Sequence, residues 1–199
     1  MARNAQETKR RIFDAAADEF ARHGIAGARV DRITEAAGVN NALLYRYFGS
    51  KRELFDIVFG ELSKQLVDAV PLDVDDLPGY VDALIRYYAR HPDIVRISAW
   101  YRLERGSDEP PAAIVESTAA KVRLIAEAQA DGRLTDAYPP ATLMEMLLNL
   151  ATIGTGVLPS GSTAAGRASA ASRRRSVATA VKAILAGVSA APSAPRRQA

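Results

Sequence analysis

Between Gly38 and Arg52 the chain gathers Asn40, Asn41, Tyr45, Arg46, Tyr47, Lys51 and Arg52 and not one carboxylate. Amide and guanidinium groups match the donor and acceptor pattern of base edges, while tyrosine hydroxyls and ammonium groups bond phosphate oxygens. The chemistry on offer is recognition of a polyanion, not bond making. Other chemistries lack their parts. The 199 residues include no cysteine and two histidines, His23 and His91, set 68 positions apart. Disulfides, thiolate nucleophiles and histidine-rich metal sites are therefore not expected. Neither a nucleotide-binding glycine loop, nor an informative carboxylate pair, nor a nucleophile with a histidine partner is apparent, so no cofactor and no catalytic residue is expected.

The formal charge is only +3, but it is unevenly spread. Lys and Arg against Asp and Glu number 11 and 10 in residues 1–68, 8 and 13 in residues 69–158, and 7 and 0 in residues 159–199. A basic face within a balanced first segment is the footprint that a phosphate backbone requires. With 48% apolar residues, the chain can bury one substantial core, or a small and a larger core that share a helix. The N-terminus is polar, and no apolar run approaches the roughly 18 to 20 residues that span a bilayer. A soluble, cytoplasmic protein with no membrane partner is expected.

The elements that must position these residues are helical. Helical periodicity recurs in nearly every segment and no alternating run bounded by turn residues stands out, so the expected fold class is all-α with about nine helices. The first covers about residues 8–22, with Ile12, Ala15, Ala16 and Phe20 on one stripe and Gly24 placed to end it. A second, about 30–37, presents Ile33, Ala36 and Ala37. Gly38 breaks it, and Asn40 caps a third that reaches Phe48. Ser50 and Glu53 form a capping box for a fourth helix, about 51–70, which carries Leu54, Phe55, Val58, Leu62, Leu66 and Val70. Residues 71–79 contain the expected domain boundary. Further helices are expected at about 80–90, 93–105, 112–130, 141–153 and 173–188. Residues 159–172, rich in Gly, Ser and Ala, read as a mobile loop, and residues 191–199 as a disordered tail.

The pattern Ile33-x-x-Ala36-Ala37-Gly38-Val39-x-x-x-x-Leu44 describes two short helices crossing steeply through a glycine with positive φ. Ala37 must be small for the axes to approach, and Ile33, Val39, Leu44 and Phe48 fill the wedge against the first helix. The opposite face of the third helix carries Asn41, Ala42, Tyr45, Arg46 and Tyr47, which fits a major groove. The helix-turn-helix so defined occupies about residues 29–48.

Two runs, R-R-I-F-D-A-A-A-D-E-F-A-R-H-G and R-I-T-E-A-A-G-V-N-N-A-L-L-Y-R-Y-F-G-S-K-R-E-L-F, resemble the N-terminal domain of the tetracycline-repressor (TetR) family of transcription regulators. The resemblance covers roughly residues 6–66. It implies a DNA-binding domain there, joined to a larger helical ligand-binding and dimerisation domain over residues 72–190. It further implies that Asn41, Ala42 and Arg46 face base edges while Tyr45, Tyr47 and Lys51 hold phosphates. The chemistry agrees: Asn suits adenine, Arg suits guanine, and the Ala42 methyl can touch a thymine methyl. Lys51 stands at a helix start, where phosphate is favoured. Three positions depart from the family pattern. Leu43 replaces a small or hydroxylated residue; Arg29 replaces a capping Ser or Thr and adds a candidate phosphate contact; Thr34 replaces an alanine, a change expected to be tolerated.

Tyr87, Tyr88, His91, Trp100, Tyr101 and Glu104 are candidates to line a small-molecule pocket; packing of the same aromatics against the fourth helix is the alternative. Leu143, Met144, Met146, Leu147, Leu148 and Leu150 wrap most of one helix, and Val177, Val181, Ile184, Leu185 and Val188 form a stripe on the last. The resemblance implies that these two helices pair with their mates in a dimer, with Leu143, Met146, Leu147, Leu150, Val177, Val181, Ile184 and Leu185 at the interface. Burial within one monomer is the other possibility. Arg173, Arg174 and Arg175 are either a solvated helix start or, because they oppose the helix dipole, a sign of an acidic partner surface. The expected partners are double-stranded DNA with a palindromic operator, a second copy of the chain, and a small-molecule effector that releases a repressor. A ligand-independent regulator or activator, or a helical small-molecule-binding protein or enzyme, are the alternatives.

Overall fold

Gly24 and Gly38 both take positive φ, but they shape the chain differently. A computed structural model describes residues 2–106, 110, 112–155 and 169–186. Among them every regular element is helical: α1 (Ala2–Gly27), α2 (Val30–Ala37), α3 (Asn41–Phe48), α4 (Lys51–Ala69), α5 (Leu77–Arg90), α6 (Pro92–Arg105), α7 (Ala112–Ala130), α8 (Pro140–Ala151) and α9 (Ala170–Leu185). Gly38, at φ 64 and ψ 41, ends α2 in the left-handed conformation expected of it, and the N–H groups of Gly38 and Val39 close on the carbonyls of Glu35 and Thr34. Gly24, at φ 66 and ψ −170, kinks α1 instead of ending it. The helix resumes because the Glu104 carboxylate accepts the N–H groups of Ile25 and Ala26, at 3.2 and 2.8 Å. A side chain far along the sequence thus serves as a cap that local patterning does not reveal. The start of α1 also lies earlier than expected, and the Thr8 hydroxyl donates to the Asn4 carbonyl at 2.8 Å from within the helix.

Ile12, Ala16 and Phe20 of α1, Ile33 and Ala37 of α2, Leu44 and Phe48 of α3, and Leu54 and Phe55 of α4 are buried together. Each large apolar side chain removed from water in this way contributes roughly 1.5 to 3 kcal/mol. Phe20 meets Phe55 edge-on with ring centroids 5.1 Å apart. On α2 the buried trio is Ile33, Thr34 and Ala37; Ala36, expected on that face, is exposed.

The core continues into α5 to α9 through α4. Phe59 of α4 stacks on Tyr101 of α6 at 4.6 Å, and Asp56 pairs with Arg105. Leu84, Ile97, Ile125, Leu143, Met144, Leu147 and Val181 are buried beyond this junction. α9 lies along α5, where Arg174 grips Asp82 with two donors, one Nη2 at 2.9 Å from Oδ2. The Arg174 hydrogen bond, reinforced by the charges of Arg86 and Arg174, holds the Asp82 carboxyl below its usual range in spite of burial. The acidic surface facing Arg174 therefore belongs to the same chain. α9 begins at Ala170 because Ser169 caps it, accepting the Ser172 N–H at 3.1 Å; residues 170–172 are helical, not loop. The rest of the expected loop, the end of the last expected helix and the tail lie outside the described residues. No helix among the described residues is long and apolar enough to cross a membrane.

Four residues expected at a dimer interface are core instead. Leu143, Leu147 and Val181 are fully buried and Val177 is 3% exposed within one chain, so they have no surface left to offer a second copy. Met146, Leu150, Ile184 and Leu185 keep partial exposure.

Candidate nucleic-acid interface

α3 is built from its cap outward. Asn40 has extended backbone at φ −97 and ψ 162, and its Oδ1 accepts the Leu43 N–H at 2.8 Å, which satisfies one of the donors left open at a helix start. Leu44 and Phe48 point into the core. Helical geometry then turns Asn41, Ala42, Tyr45 and Arg46 to solvent. Tyr45 leaves 46% of its surface in water. Leu43 is half-buried, and its described contribution is the backbone N–H that Asn40 caps.

Asn41 is exposed yet fixed. Its Oδ1 accepts the Thr34 hydroxyl at 2.7 Å and its Nδ2 donates to Asp31 at 2.9 Å. Among the described residues nothing else bonds the amide, so one lone pair and one N–H stay open, the pair needed for an adenine edge. Thr34 therefore does more than tolerate its departure from alanine.

Tyr47 is half-buried and collects cations. Lys9 Nζ and the Arg46 guanidinium each lie 5.3 Å from its ring centre, and Phe48 meets it edge-on at 6.5 Å. A ring face so placed draws positive charge toward the exposed side of α3. Lys9 was not among the residues singled out from sequence, although the Lys9-Arg10-Arg11 run is a signal that points to it.

The remaining phosphate candidates flank this helix and carry structural duties as well. Arg29 precedes α2 with extended backbone and no side-chain cap. Its N–H donates to Glu19 Oε1 at 2.9 Å, and Arg32 Nε donates to the same oxygen at 2.8 Å. Burial alone raises the Glu19 pKa, but the Arg32 and Arg29 hydrogen bonds and the charges of Arg32 and His23 outweigh it and set the net shift downward. Ser50 and Glu53 form the expected capping box at the start of α4. Beside it, Lys51 Nζ donates to the Ala28 carbonyl at 2.9 Å. That bond uses one of three ammonium donors and pins α4 to the turn between α1 and α2.

The six aromatic and polar candidates of the second domain separate. Tyr88 lines a cavity of about 280 Å³ bounded by α4, α5, α6, α7 and α8. Burial, with a smaller contribution from Tyr87, pushes the Tyr88 hydroxyl up to about 12. Tyr87 is buried and packs on His91 at 4.3 Å. Trp100, Tyr101 and Glu104 fasten α6 to the first domain: Trp100 Nε1 reaches the Ala21 carbonyl at 3.4 Å, Tyr101 stacks on Phe59, and Glu104 caps the kink of α1. Their place is the domain junction, since α6 presents its last turns to α1 and α4 and its first turns to the cavity. The cavity walls that sequence reasoning missed, such as Val67, Ile94 and Lys121, carry no local signal that separates them from core.

Residues 12–58 match the family model described as bacterial regulatory proteins, tetR family, and residues 76–182 match that of the tetracyclin repressor-like C-terminal domain. The chain is 44% identical over 152 residues to the HTH-type transcriptional repressor SCO4008 of Streptomyces coelicolor, covering 75% of this chain and 79% of that one. It is 33% identical over 112 residues to the HTH-type transcriptional repressor NicS of Pseudomonas putida, covering 53% of each. The crystal structure of SCO4942 from Streptomyces coelicolor superposes with a TM-score of 0.78 at 36% identity, over 89% of this chain and 97% of that one. Two family models arranged in this order, over a helix-turn-helix whose outward face is amide, phenol and guanidinium, lead to one conclusion: the chain belongs to the tetR family of transcriptional regulators and is a DNA-binding regulator.

Proposed function

We propose that the chain is a ligand-responsive repressor that binds a palindromic operator as a homodimer and leaves it when a small molecule enters the α4–α8 cavity. The observation that carries this reading is the double duty of α6. Its first turns, through Ile94, Val95 and Ser98, wall the cavity. Its last turns, through Trp100, Tyr101, Glu104 and Arg105, hold α1 and α4. A ligand that shifts α6 shifts the DNA-binding domain with it, and the coupling is as large as the difference in its affinity for the two arrangements.

In this reading Asn41, Ala42 and Arg46 face bases, and Arg29, Tyr45, Tyr47 and Lys51 meet phosphates, with Lys9 added to them. The operator is read by two α3 helices about 34 to 36 Å apart, one in each of two successive major grooves. Met146, Leu150, Ile184 and Leu185 supply the dimer surface, and the repressors among the relatives support the sign of regulation. The decisive experiment is selection of bound duplexes from a random pool, followed by sedimentation of the purified chain. Enrichment of a two-fold symmetric sequence bound by a dimer is expected. A monomer, or no enrichment above the starting pool, overturns the proposal.

A further inference from the structure

The α4–α8 cavity has an uneven chemistry. Phe59, Val67, Ile94, Val95 and Leu148 give it apolar walls, and Ser63, Ser117 and Thr118 add hydroxyls. Among the described residues no Asp or Glu lines it, but Lys64 and Lys121 do. Lys64 is exposed, whereas Lys121 on α7 is half-buried. Among the described residues no carboxylate lies within ion-pair distance of Lys121. Burial lowers the pKa of this ammonium, with no opposing charge to restore it.

An ammonium partly withdrawn from water without a counter-ion is disfavoured until one arrives. A cation entering the same cavity meets like charge and no acceptor carboxylate. A neutral apolar molecule satisfies the walls and leaves the lysine as it was. We propose that this cavity receives an organic anion with an apolar body, a carboxylate whose charge is held by Lys121 and whose hydrocarbon part lies against Phe59, Ile94 and Leu148. The assignment rests on the reading of the cavity as the effector site and adds its chemical class: an amphipathic acid rather than a lipophilic cation or a neutral molecule. The hydroxyls near Lys121 on α7, those of Ser117 and Thr118, supply further donors to the same carboxylate.

The test compares decanoate, decanol and decyltrimethylammonium by titration calorimetry on the full chain, with operator release followed in parallel by fluorescence anisotropy. Decanoate is expected to bind most tightly. Lys121→Met, which keeps the length and removes the charge, is expected to weaken decanoate about tenfold or more while leaving decanol unchanged. Thermal unfolding verifies that the variant is folded, and Lys64→Met, at the exposed rim, is expected to have the smaller effect. Absence of decanoate binding, binding of the cation at least as tight as the acid, or an unchanged decanoate affinity in a folded Lys121→Met variant overturns the inference. The two readings fail separately. Lysine-dependent decanoate binding without operator release leaves the inference standing and removes the effector role. Release by the cation or the alcohol alone does the reverse.

Discussion

Thr34 and Asn41 meet across the turn of the helix-turn-helix, with Thr34 Oγ1 donating to Asn41 Oδ1 at 2.7 Å. Asp31 completes the clamp and decides the amide's orientation, because a carboxylate can only accept and so must face Nδ2. The open N–H and lone pair of Asn41 are thus presented in one order, not two. Thr34→Val is expected to relax base preference at the position Asn41 reads by about 1 kcal/mol, with the salt dependence of binding unchanged. Asp31→Ala is expected to relax the same position and to raise affinity for all sequences, since it also removes a negative charge from the proposed DNA face. Titration against operator variants checks both. Unaltered preferences in each variant would show that the clamp does not position the reader.

The proposed roles of Lys51 and Arg46 separate attraction from readout. The Lys51 bond to the Ala28 carbonyl holds α4 against the turn that precedes α2 and uses one of three ammonium donors, which leaves two for the proposed phosphate contact. Lys51→Met should lower stability by about 1 kcal/mol in denaturant unfolding. It should also weaken operator binding evenly across sequences and reduce the salt slope by about one. Arg46 is exposed on α3 and leans toward the Tyr47 ring, so Arg46→Ala should leave the fold intact and cost roughly 1 to 3 kcal/mol at particular bases. An unchanged salt slope would remove Lys51 from the phosphate contacts, whatever happens to stability. An equal loss on every sequence would make Arg46 a phosphate ligand instead of a reader.

How legible each part was follows from the range of the contacts that define it. Gly38, Asn40, Ser50 and Glu53 act on backbone groups within five residues, and all four could be assigned from spacing. Trp100, Tyr101 and Glu104 act on residues some 42 to 79 positions away. Periodicity identified their helix and left open whether it lines a pocket or packs against the fourth helix; the stacking of Tyr101 on Phe59 is the second of these. α8 shows the same ambiguity over a single turn. Leu143 and Leu147 lie one turn apart on the buried face, Met146 and Leu150 on the neighbouring one, and an apolar pattern that wraps the helix does not say which face meets a second chain.

That division of α8 and α9 predicts which substitutions separate folding from assembly. Ile184→Glu and Met146→Lys, on the partly exposed face, are expected to give folded monomers at micromolar concentration and to lose operator affinity. Leu147→Ala, in the core, is expected to cost about 2 to 5 kcal/mol of stability. Sedimentation and denaturant unfolding distinguish the two outcomes; a folded Ile184→Glu dimer would move the interface elsewhere.

Glu19 predicts how the first domain responds to acid. Its folded pKa lies below the unfolded value, for which 4.5 is the reference, so the carboxylate's contribution is complete above that pH and disappears as pH falls through the folded value. Glu19→Gln should lower stability at neutral pH, by roughly 1 to 3 kcal/mol given the partly exposed Arg32 partner. It should also flatten the decline of stability with pH below about 4.5. A variant that tracks wild type through that window would assign the acid sensitivity to Asp82 at the α5–α9 contact, whose carboxyl is shifted the same way.

Gly24 is the position where the junction is most exposed to a single methyl group. Its φ of 66 and ψ of −170 lie in a region that side-chain-bearing residues occupy at a cost of order 1 to 3 kcal/mol. A Cβ there would overlap Glu104 Oε1 and stand 2.8 Å from Trp100. Relief by moving Glu104 gives up its bonds to Ile25 and Ala26, and relief by moving Trp100 opens the packing of α6 on α1. Gly24→Ala is therefore expected to lower stability by at least about 2 kcal/mol in urea unfolding. Glu104→Ala alone should cost about 1 kcal/mol, because the released N–H groups are exposed and take up water. In the double variant the penalty of the Gly24→Ala change should shrink without vanishing, since the backbone strain and Trp100 remain. If α6 transmits the state of the cavity, Glu104→Ala should also leave operator affinity less responsive to a bound effector while affinity without effector changes little. Full additivity of the two substitutions, together with an undiminished effector response, would mean that Glu104 neither crowds Gly24 nor couples the two domains.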